Sequence, residues 1–463
     1  MTPAARRRTS PASELSAADT IVAVATPAGE SAIGVVRLSG ADAVAVAARV
    51  IRAREPLTSF ESHTLHRVSI VETTTGSALD DAMCAVMRGP RSYTGEDVVE
   101  LSCHGSPALL HAVVEQVRAS GARLAEPGEF TRRAFLNGRL DLARAEAVAL
   151  LISARTTRAV KLAARALAGD LAAELRRARH EIVDLIAGLE VTLDFPEERV
   201  GLAVESAVRQ LQRIASDVAR WSARARHGRV VHTGITVAIV GPPNAGKSSL
   251  LNALVGQDRA IVSPTPGTTR DVVEATIAVG GVPIRLLDTA GIGDPANALE
   301  AEGMRRTRMA AEESDLLVVV LDGSAAPDTG VLEDTKGRSR IVVRAKSDLP
   351  ADEAYLALAE AVAVSSRTGA GVDRLLDRLG SEVALRTGSD DDENGLVATL
   401  RQVELLAELQ KALVAARAAL ESAPLEAALV DLTAALRYTG DLLGVEVGDV
   451  VLDRVFAMFC VGK

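Results

Sequence analysis

Aromatic side chains make up only 2% of this sequence, with a single Trp, so its cores must be filled by Leu, Ala and Val. Cysteine is equally scarce. Cys84, Cys103 and Cys460 are the only three, at spacings that fit neither a disulfide framework nor a zinc ribbon, which excludes a stapled secreted scaffold and implies a reducing compartment. No charge-free apolar run reaches the roughly 18 residues that a membrane-spanning helix needs, so no membrane segment is predicted. An excess of basic charge is also missing: the formal net charge of −9 excludes a protein that coats nucleic acid by general basicity, and leaves any RNA contact to a local patch. Residues 1–18 carry Arg6, Arg7 and Arg8 among Ser, Pro and Ala but lack the apolar core of a secretory signal. They read as a disordered tail of a cytoplasmic protein, with an Arg- and Ser-rich transit peptide as the alternative.

At 463 residues the chain exceeds one hydrophobic core, and about three domains are expected. Residues 19–138 mix short β-branched runs, such as Ile33 to Leu38 before a Ser39-Gly40 turn, with two helical stretches, and read as a compact α/β domain. Over residues 139–232 Gly and Pro thin out, and Ile182, Leu185, Ile186, Leu189 and Leu193 recur at helical spacing. Residues 233–385 alternate strand-like runs with helical ones: Ile235 to Val240, Pro283 to Leu287, Leu316 to Leu321, Ile341 to Val343 and Val362 to Val364. That alternation predicts a parallel sheet covered on both faces. A polar stretch from Arg386 to Gly395 follows, and helical periodicity resumes through Leu400, Val403, Leu406, Leu413 and Leu420 in a second helical region, residues 386–463. Neither helical region can bury its apolar stripe alone, so the two are expected to pack on each other with the sheet domain inserted between them.

The strand Ile235 to Val240 runs into Gly241-Pro-Pro-Asn-Ala-Gly246-Lys247-Ser248 and then an apolar helix through Leu250, Leu251 and Leu254. The pattern G-x-x-x-x-G-K-[ST] arises by chance in about 1 in 60 chains of this length, and the flanking strand and helix make chance a poor explanation. Glycines let backbone N–H groups turn toward the β-phosphate, Lys247 balances phosphate charge, and Ser248 places a hydroxyl on Mg²⁺. The nucleotide contacts predicted here are Asn244, Ala245, Gly246, Lys247, Ser248 and Ser249. Downstream, Gly267-Thr268-Thr269-Arg270-Asp271 supplies a switch hydroxyl, assigned to Thr269, for Mg²⁺ and the γ-phosphate. Asp288, Thr289, Ala290 and Gly291 then follow a strand and supply a carboxylate for the metal's outer shell and a backbone N–H for the γ-phosphate. An isolated Asp-x-x-Gly is usually only a turn; order and spacing make this a Ras-like GTPase set.

Guanine selection needs one carboxylate that accepts from N1–H and the exocyclic amine together. Ala345-Lys346-Ser347-Asp348 follows the strand Ile341 to Val343, which assigns Lys346 and Asp348 to the base. Ser365, Ser366 and Arg367 resemble the last guanine-contacting loop, with Ser366 where Ala is usual. The motif ordinarily begins with Asn or Thr; Ala345 removes a side-chain hydrogen bond to the phosphate loop, at about 0.5–1.5 kcal/mol. Weakened affinity with retained specificity is expected.

Ras-like enzymes orient water with a Gln after Asp-x-x-Gly and neutralise charge with an arginine finger; here that position is Ile292, which does neither. Asn244 together with Ile261 to Gly267 resembles the potassium-activated GTPases, in which K⁺ takes the finger's place. Carried over by position, that likeness implies Asn244, Ser263, Thr265 and Thr268 as K⁺ ligands, face-to-face pairing of two nucleotide domains, and Glu300 orienting the water. The plain alternative for Glu300 is a solvated carboxylate near a helix start.

The flanking segments narrow the family. Asp19-Thr-Ile-Val-Ala-Val-Ala-Thr-Pro-Ala-Gly29, Ser92-Tyr-Thr-Gly-Glu-Asp-Val-Val-Glu100, Cys103-His104-Gly105, Pro127 to Asp141 (PGEFTRRAFLNGRLD), Asp194-Phe-Pro-Glu-Glu198 and the terminal Cys460-Val-Gly-Lys463 resemble the bacterial MnmE (TrmE) family from Asp19 onward. The resemblance implies an N-terminal α/β domain similar to folate-binding domains, through which the protein forms a homodimer, and a tetrahydrofolate derivative (5-formyl or 5,10-methylene) as one-carbon donor. It also implies a partner of the FAD-dependent MnmG type, with a heterotetramer, acting at C5 of the tRNA wobble uridine. Arg37, Glu100, Arg139 and Lys463 match the folate pocket; Arg139 stands where the family usually has Lys, which keeps the charge and changes its geometry.

Cys460 invites a reading as a catalytic thiol, although free cysteines are mostly buried and inert. His104 reads first as a structural donor and second as an acid or base. Arg155, Arg158, Lys161, Arg165, Arg176, Arg177 and Arg179, with Arg220, Arg224, Arg226 and Arg229, either grip a tRNA backbone or form solvated faces paired with local Glu. Two other functions are considered: a ribosome-assembly GTPase, which leaves Asp19 to Asp141 unexplained, and a folate-dependent transferase with a vestigial nucleotide domain, which only Ala345 favours.

Overall fold

The structure is a computed structural model that describes residues 19–195, 202–256, 273–288, 312–358, 360–387, 396, 398–445 and 447–463. It divides into two compact units, one reaching Ala149 and including Leu443–Lys463, the other spanning Leu150–Leu442.

The first unit is built on a seven-stranded sheet of order β3-β4-β5-β6-β2-β1-β7. Its strands are β1 (Ile21–Val24), β2 (Ser31–Ser39), β3 (Ile51–Arg52), β4 (Leu65–Val71), β5 (Ala78–Met87), β6 (Val98–Gly105) and β7 (Arg123–Leu124). All pairings are antiparallel except β1 with β7. Alternation puts Val36, Leu38, Val99 and Leu101 into one core with Val46, Ala47 and Val50 of α1 (Ala43–Val50) and Val113 and Val117 of α2 (Pro107–Ala119). A third helix, α3 (Glu129–Leu136), exceeds the two helical stretches expected; its polar sequence EFTRRAFL conceals an amphipathic helix whose charged residues are buried in pairs. Arg123 bonds Asp19 and Glu129, and Arg133 bonds Asp19, Glu96 and Glu129. The network ties the first described residue to α3 and to the Ser92–Glu96 loop, where Glu96 in turn accepts from Ser39 Oγ at 2.8 Å.

The end of the chain also belongs to this unit. The short helix α13 (Asp449–Phe456) docks on α3, with Arg132 3.0 Å from Asp453 and Phe456 beside Phe135. Beyond it the last residues run against β1. Gly462 sits at φ +92°, and a Cβ there would stand 2.4 Å from the Val24 carbonyl oxygen, so only glycine allows this approach.

Helix α4 (Leu142–Ser153) leads into the second unit, where α5 (Thr157–Ala168), α6 (Asp170–Asp194) and α7 (Val204–Thr233) follow. The seam of α7 is Ala207, Leu211, Ile214, Val218, Trp221 and Ala225, alternating steps of four and three; it packs along Leu406, Leu409, Leu413, Ala416 and Leu420 of α11 (Leu400–Ser422). The second of these helices starts on a capping box, Thr399 with Gln402. The two helical regions therefore bury their stripes on each other, as expected, and α12 (Leu425–Leu443) continues the layer.

Between them lies a six-stranded sheet of order β13-β12-β11-β8-β10-β9, with β8 (Ile235–Val240), β9 (Val273–Val279), β10 (Val282–Asp288), β11 (Leu316–Asp322), β12 (Arg340–Ala345) and β13 (Val362–Ala363). It is parallel except at one edge, where β9 folds back on β10 through Gly280-Gly281. The sequence reading missed β9 because its seven residues follow a polar stretch and were not separated from it. Helices α8 (Lys247–Val255) and α10 (Val372–Thr387) cover one face, and α9 (Thr329–Asp334) lies on the other.

Candidate functional site

Each functional segment of the second unit leaves the carboxyl end of a strand, the position where open α/β sheets bind ligands. β8 ends on Val240, and Gly241 follows with its Cα so close to β11 that an added Cβ would lie 2.1 Å from the Val320 carbonyl oxygen. Asn244 takes a left-handed conformation, φ +61°, which turns the loop back and leaves its side chain at the exposed rim beside exposed Ser248 and Ser249; Ala245 is buried beneath them. Lys247 begins α8 and is itself buried. Its Nζ donates to the carbonyls of Gly241 (3.1 Å) and Pro242 (2.9 Å), so its ammonium is held inside the loop that phosphates would enter.

At the end of β12, Lys346 adopts φ +55° and its Nζ lies 2.6 Å from Asp322 at the end of β11. Burial pushes the Asp322 carboxyl up, but the bonds from Lys346 and Ser324 and the Lys346 charge together outweigh it and hold the group below its ordinary value. Tyr355 Oη donates to the Asp322 carbonyl at 2.8 Å. Asp322 escaped the sequence reading; its signal is an Asp-Gly directly after the apolar run of β11. Asp348 accepts from Ser365 Oγ at 2.7 Å and pairs with Arg367 at 2.8 Å. The Ser365 bond first, then Arg367, keeps this carboxyl below the usual carboxylate range, the ionised form a guanine edge requires. Ser366 is half-buried beside them.

Ala345 is 4% exposed, and its Cβ lies 3.9 Å from the point where a Cβ on Gly246 would stand, so this side chain faces the phosphate loop. An amide there reaches the loop backbone. Ala345→Asn is expected to tighten GTP about two- to tenfold, one hydrogen bond's worth; an unchanged dissociation constant would reject the tether.

The phosphate-loop residues Asn244 to Ser249 are thus brought to the same sheet edge as Lys346, Asp348, Ser365, Ser366 and Arg367. Asp288 ends β10 at that edge by its backbone. Ser263, Thr265, Thr268, Thr269, Thr289, Ala290, Gly291 and Glu300 lie outside the described residues.

In the first unit Arg37, Glu100 and the chain terminus meet. Arg37 Nε donates to Glu100 at 2.7 Å and its Nη1 to the Gly462 carbonyl at 3.1 Å, with the guanidinium 5.7 Å from the ring centroids of both Tyr93 and Phe130. Lys463 is half-buried beside them; burial, then repulsion from Arg37, pulls its ammonium below the ordinary 10.5. Arg139 packs its stem by Gly95, in the loop that carries Tyr93. The cluster offers a carboxylate, an aromatic face and cations, a donor set suited to an amino-pterin edge and an acidic tail. Tyr93 and Phe130 were not singled out from sequence.

Of the remaining candidates, His104 is exposed and bonded through Nδ1 to Asp80 at 2.6 Å, the structural donor expected first. Cys460 is exposed. Arg165 and Arg220 pair with Asp170 and Asp217 and Arg177 stands 3.9 Å from Glu181, which favours the paired reading for these three, while Arg158 and Arg179 donate to the Gly280 and Leu436 carbonyls. Among the described residues no helix is long and apolar enough to cross a membrane.

Comparison with known proteins follows the same division. The family model described as GTP-binding protein TrmE N-terminus matches residues 20–139, and that of the MnmE helical domain matches residues 142–460. A protein named tRNA modification GTPase MnmE from Moorella thermoacetica is 42% identical, the match covering 96% of this chain and 99% of that one. Its namesake from Symbiobacterium thermophilum is 43% identical with the same coverage. Among solved structures, the G domain of the T. maritima FeoB iron transporter is 28% identical over 32% of this chain and 98% of that chain, with a TM-score of 0.26.

Proposed function

This chain belongs to the MnmE family, GTP hydrolases that act in tRNA modification, and from that premise we propose that it couples potassium-assisted GTP hydrolysis to one-carbon transfer at C5 of the wobble uridine. The observation that carries the second half is the meeting of Arg37 and Glu100 with Gly462 and Lys463, residues 425 positions apart.

In this reading Glu100 accepts from the amino edge of a reduced pterin and the half-buried Tyr93 ring flanks it, with Phe130 in the core behind, while Lys463 and Arg139 meet the acidic tail. Tetrahydrofolate, in its 5-formyl or 5,10-methylene form, supplies the one-carbon unit. Arg37 holds Glu100 and the terminus in place. At the other site Asn244, with Ser263, Thr265 and Thr268, holds K⁺; Ser248 and Thr269 hold Mg²⁺ with the Asp288 carboxylate in its outer shell; Thr289, Ala290 and Gly291 meet the γ-phosphate, and Glu300 orients water. The protein works as a homodimer with an FAD-dependent partner of the MnmG type, in the cytoplasm.

Mass spectrometry of tRNA nucleosides from cells lacking the protein tests the whole: the C5 substituent of the wobble uridine should disappear, and its persistence would remove the function. Glu300→Ala should bind GTP normally and lose most hydrolysis in K⁺, with wild-type turnover rejecting the assignment. Arg37→Ala should lose saturable binding of reduced folate while its GTP turnover is kept.

A further inference from the structure

The carboxylate assigned to guanine is engaged on both oxygens. Ser365 Oγ donates to Oδ1 at 2.7 Å, and the Arg367 guanidinium stands 2.8 Å from Oδ2. The two partners differ in kind. Ser365 is fully buried and fixed by backbone bonds to Ala370 and Gly369, each 2.9 Å, and its hydroxyl uses one acceptor position of an oxygen that keeps another. Arg367 stands on the open side, its side chain 76% exposed against 16% for the carboxylate it covers. It is charged, long and free to swing outward, so the pair is weak enough to be displaced and strong enough to matter.

Guanine presents two donors, N1–H and the 2-amino group, and needs both oxygens. Hypoxanthine presents N1–H alone and can share the carboxylate with a guanidinium. We propose that Arg367 is a competing latch on Asp348, a residue that sets the affinity and release of guanine nucleotides by occupying the second oxygen until the 2-amino group displaces it. The proposal rests on the reading of Asp348 as the guanine acceptor. It also fits Ala345, which faces the phosphate loop without an amide: the missing tether and the latch both lower nucleotide affinity. As the base lifts away, the guanidinium recaptures the carboxylate before the base can settle back, which speeds the net release of GDP.

The test is stopped-flow binding of ribose-labelled fluorescent GDP and IDP to the full-length protein and its variants. Arg367→Ala should hold GDP about two- to fivefold more tightly, the range an exposed ion pair carries, through slower dissociation. IDP should be unchanged, so the preference for GDP over IDP widens by the same factor. Arg367→Lys, a point charge without the planar fork, should fall between. Weaker GDP binding in Arg367→Ala would mean that the guanidinium stacks on the base, and parallel or absent shifts for GDP and IDP would mean that it does not compete for the second oxygen; each overturns the latch. Asp348→Ala in the same assay should erase the preference for GDP over IDP. If it does not, the guanine assignment is at fault, whatever Arg367 does.

Discussion

Lys247→Met is expected to lower GTP turnover by about 10²–10³-fold, the loss typical of removing one preorganised charge-stabilising donor, with the protein still folded. Met matches the length of the Lys stem, and the stem is what the buried position packs; α8 keeps its apolar anchors Leu250, Leu251 and Leu254. What is lost is an ammonium that the loop already holds between the carbonyls of Gly241 and Pro242. Those carbonyls orient the cation at no cost when nucleotide arrives, and charge that need not reorganise is the largest lever in phosphoryl transfer. Phosphate release under single turnover, read with K⁺ present, separates this from weaker binding: at saturating GTP the rate constant itself should fall. A variant that keeps the wild-type rate constant at saturation would show that Lys247 only helps to bind.

Much of this was legible along the chain, and the reason differs by region. The phosphate loop was read whole because contiguous residues form it; a six-residue turn carries its own geometry in its glycines. The Asp348 loop was read from its place after a strand. The apolar stripes of α6 and α11 were legible because steps of three and four survive any change of partner, whereas the seam of α7 was not singled out. The charge network of Asp19, Glu96, Arg123, Glu129 and Arg133 was not, since no period links these positions and each looks like an ordinary surface charge. Tyr93 and Phe130 were hidden for a related reason: one in a loop and one on α3, each acquires meaning only when the fold sets it beside Arg37. The docking of Gly462 against Val24 likewise depends on a contact that only the folded chain creates, although the family resemblance had pointed Lys463 toward the pocket.

That hidden network supports the second large expectation: Glu129→Ala should destabilise the first unit by about 3–5 kcal/mol, the cost of stripping one partner from a buried ion pair. The Glu129 side chain is 4% exposed and that of Arg133 8%, and Glu129 accepts from both Arg123 and Arg133 as well as from the Glu126 N–H. The change strips a counter-charge from the buried Arg133 guanidinium and leaves the partly exposed Arg123 with Asp19 alone. Burial pushes the Glu129 carboxyl up, but the Arg123 bond, the Glu126 N–H and the charges of Arg123 and Arg133 together outweigh it and hold the group below 4.5; Asp19 is held low by the same two arginines against its own burial. A carboxyl whose folded value is depressed adds stability that is complete above its unfolded value and drains away as pH falls through the folded one. The gap between wild type and Glu129→Ala should therefore be widest at neutral pH and close in acid. Urea unfolding followed by circular dichroism measures it, and Trp221, the only tryptophan and buried on α7 of the second unit, gives an internal control whose fluorescence transition should hold its midpoint. A wild-type midpoint at neutral pH, or a gap that stays constant into acid, would mean that these buried charges do not hold α3 in place.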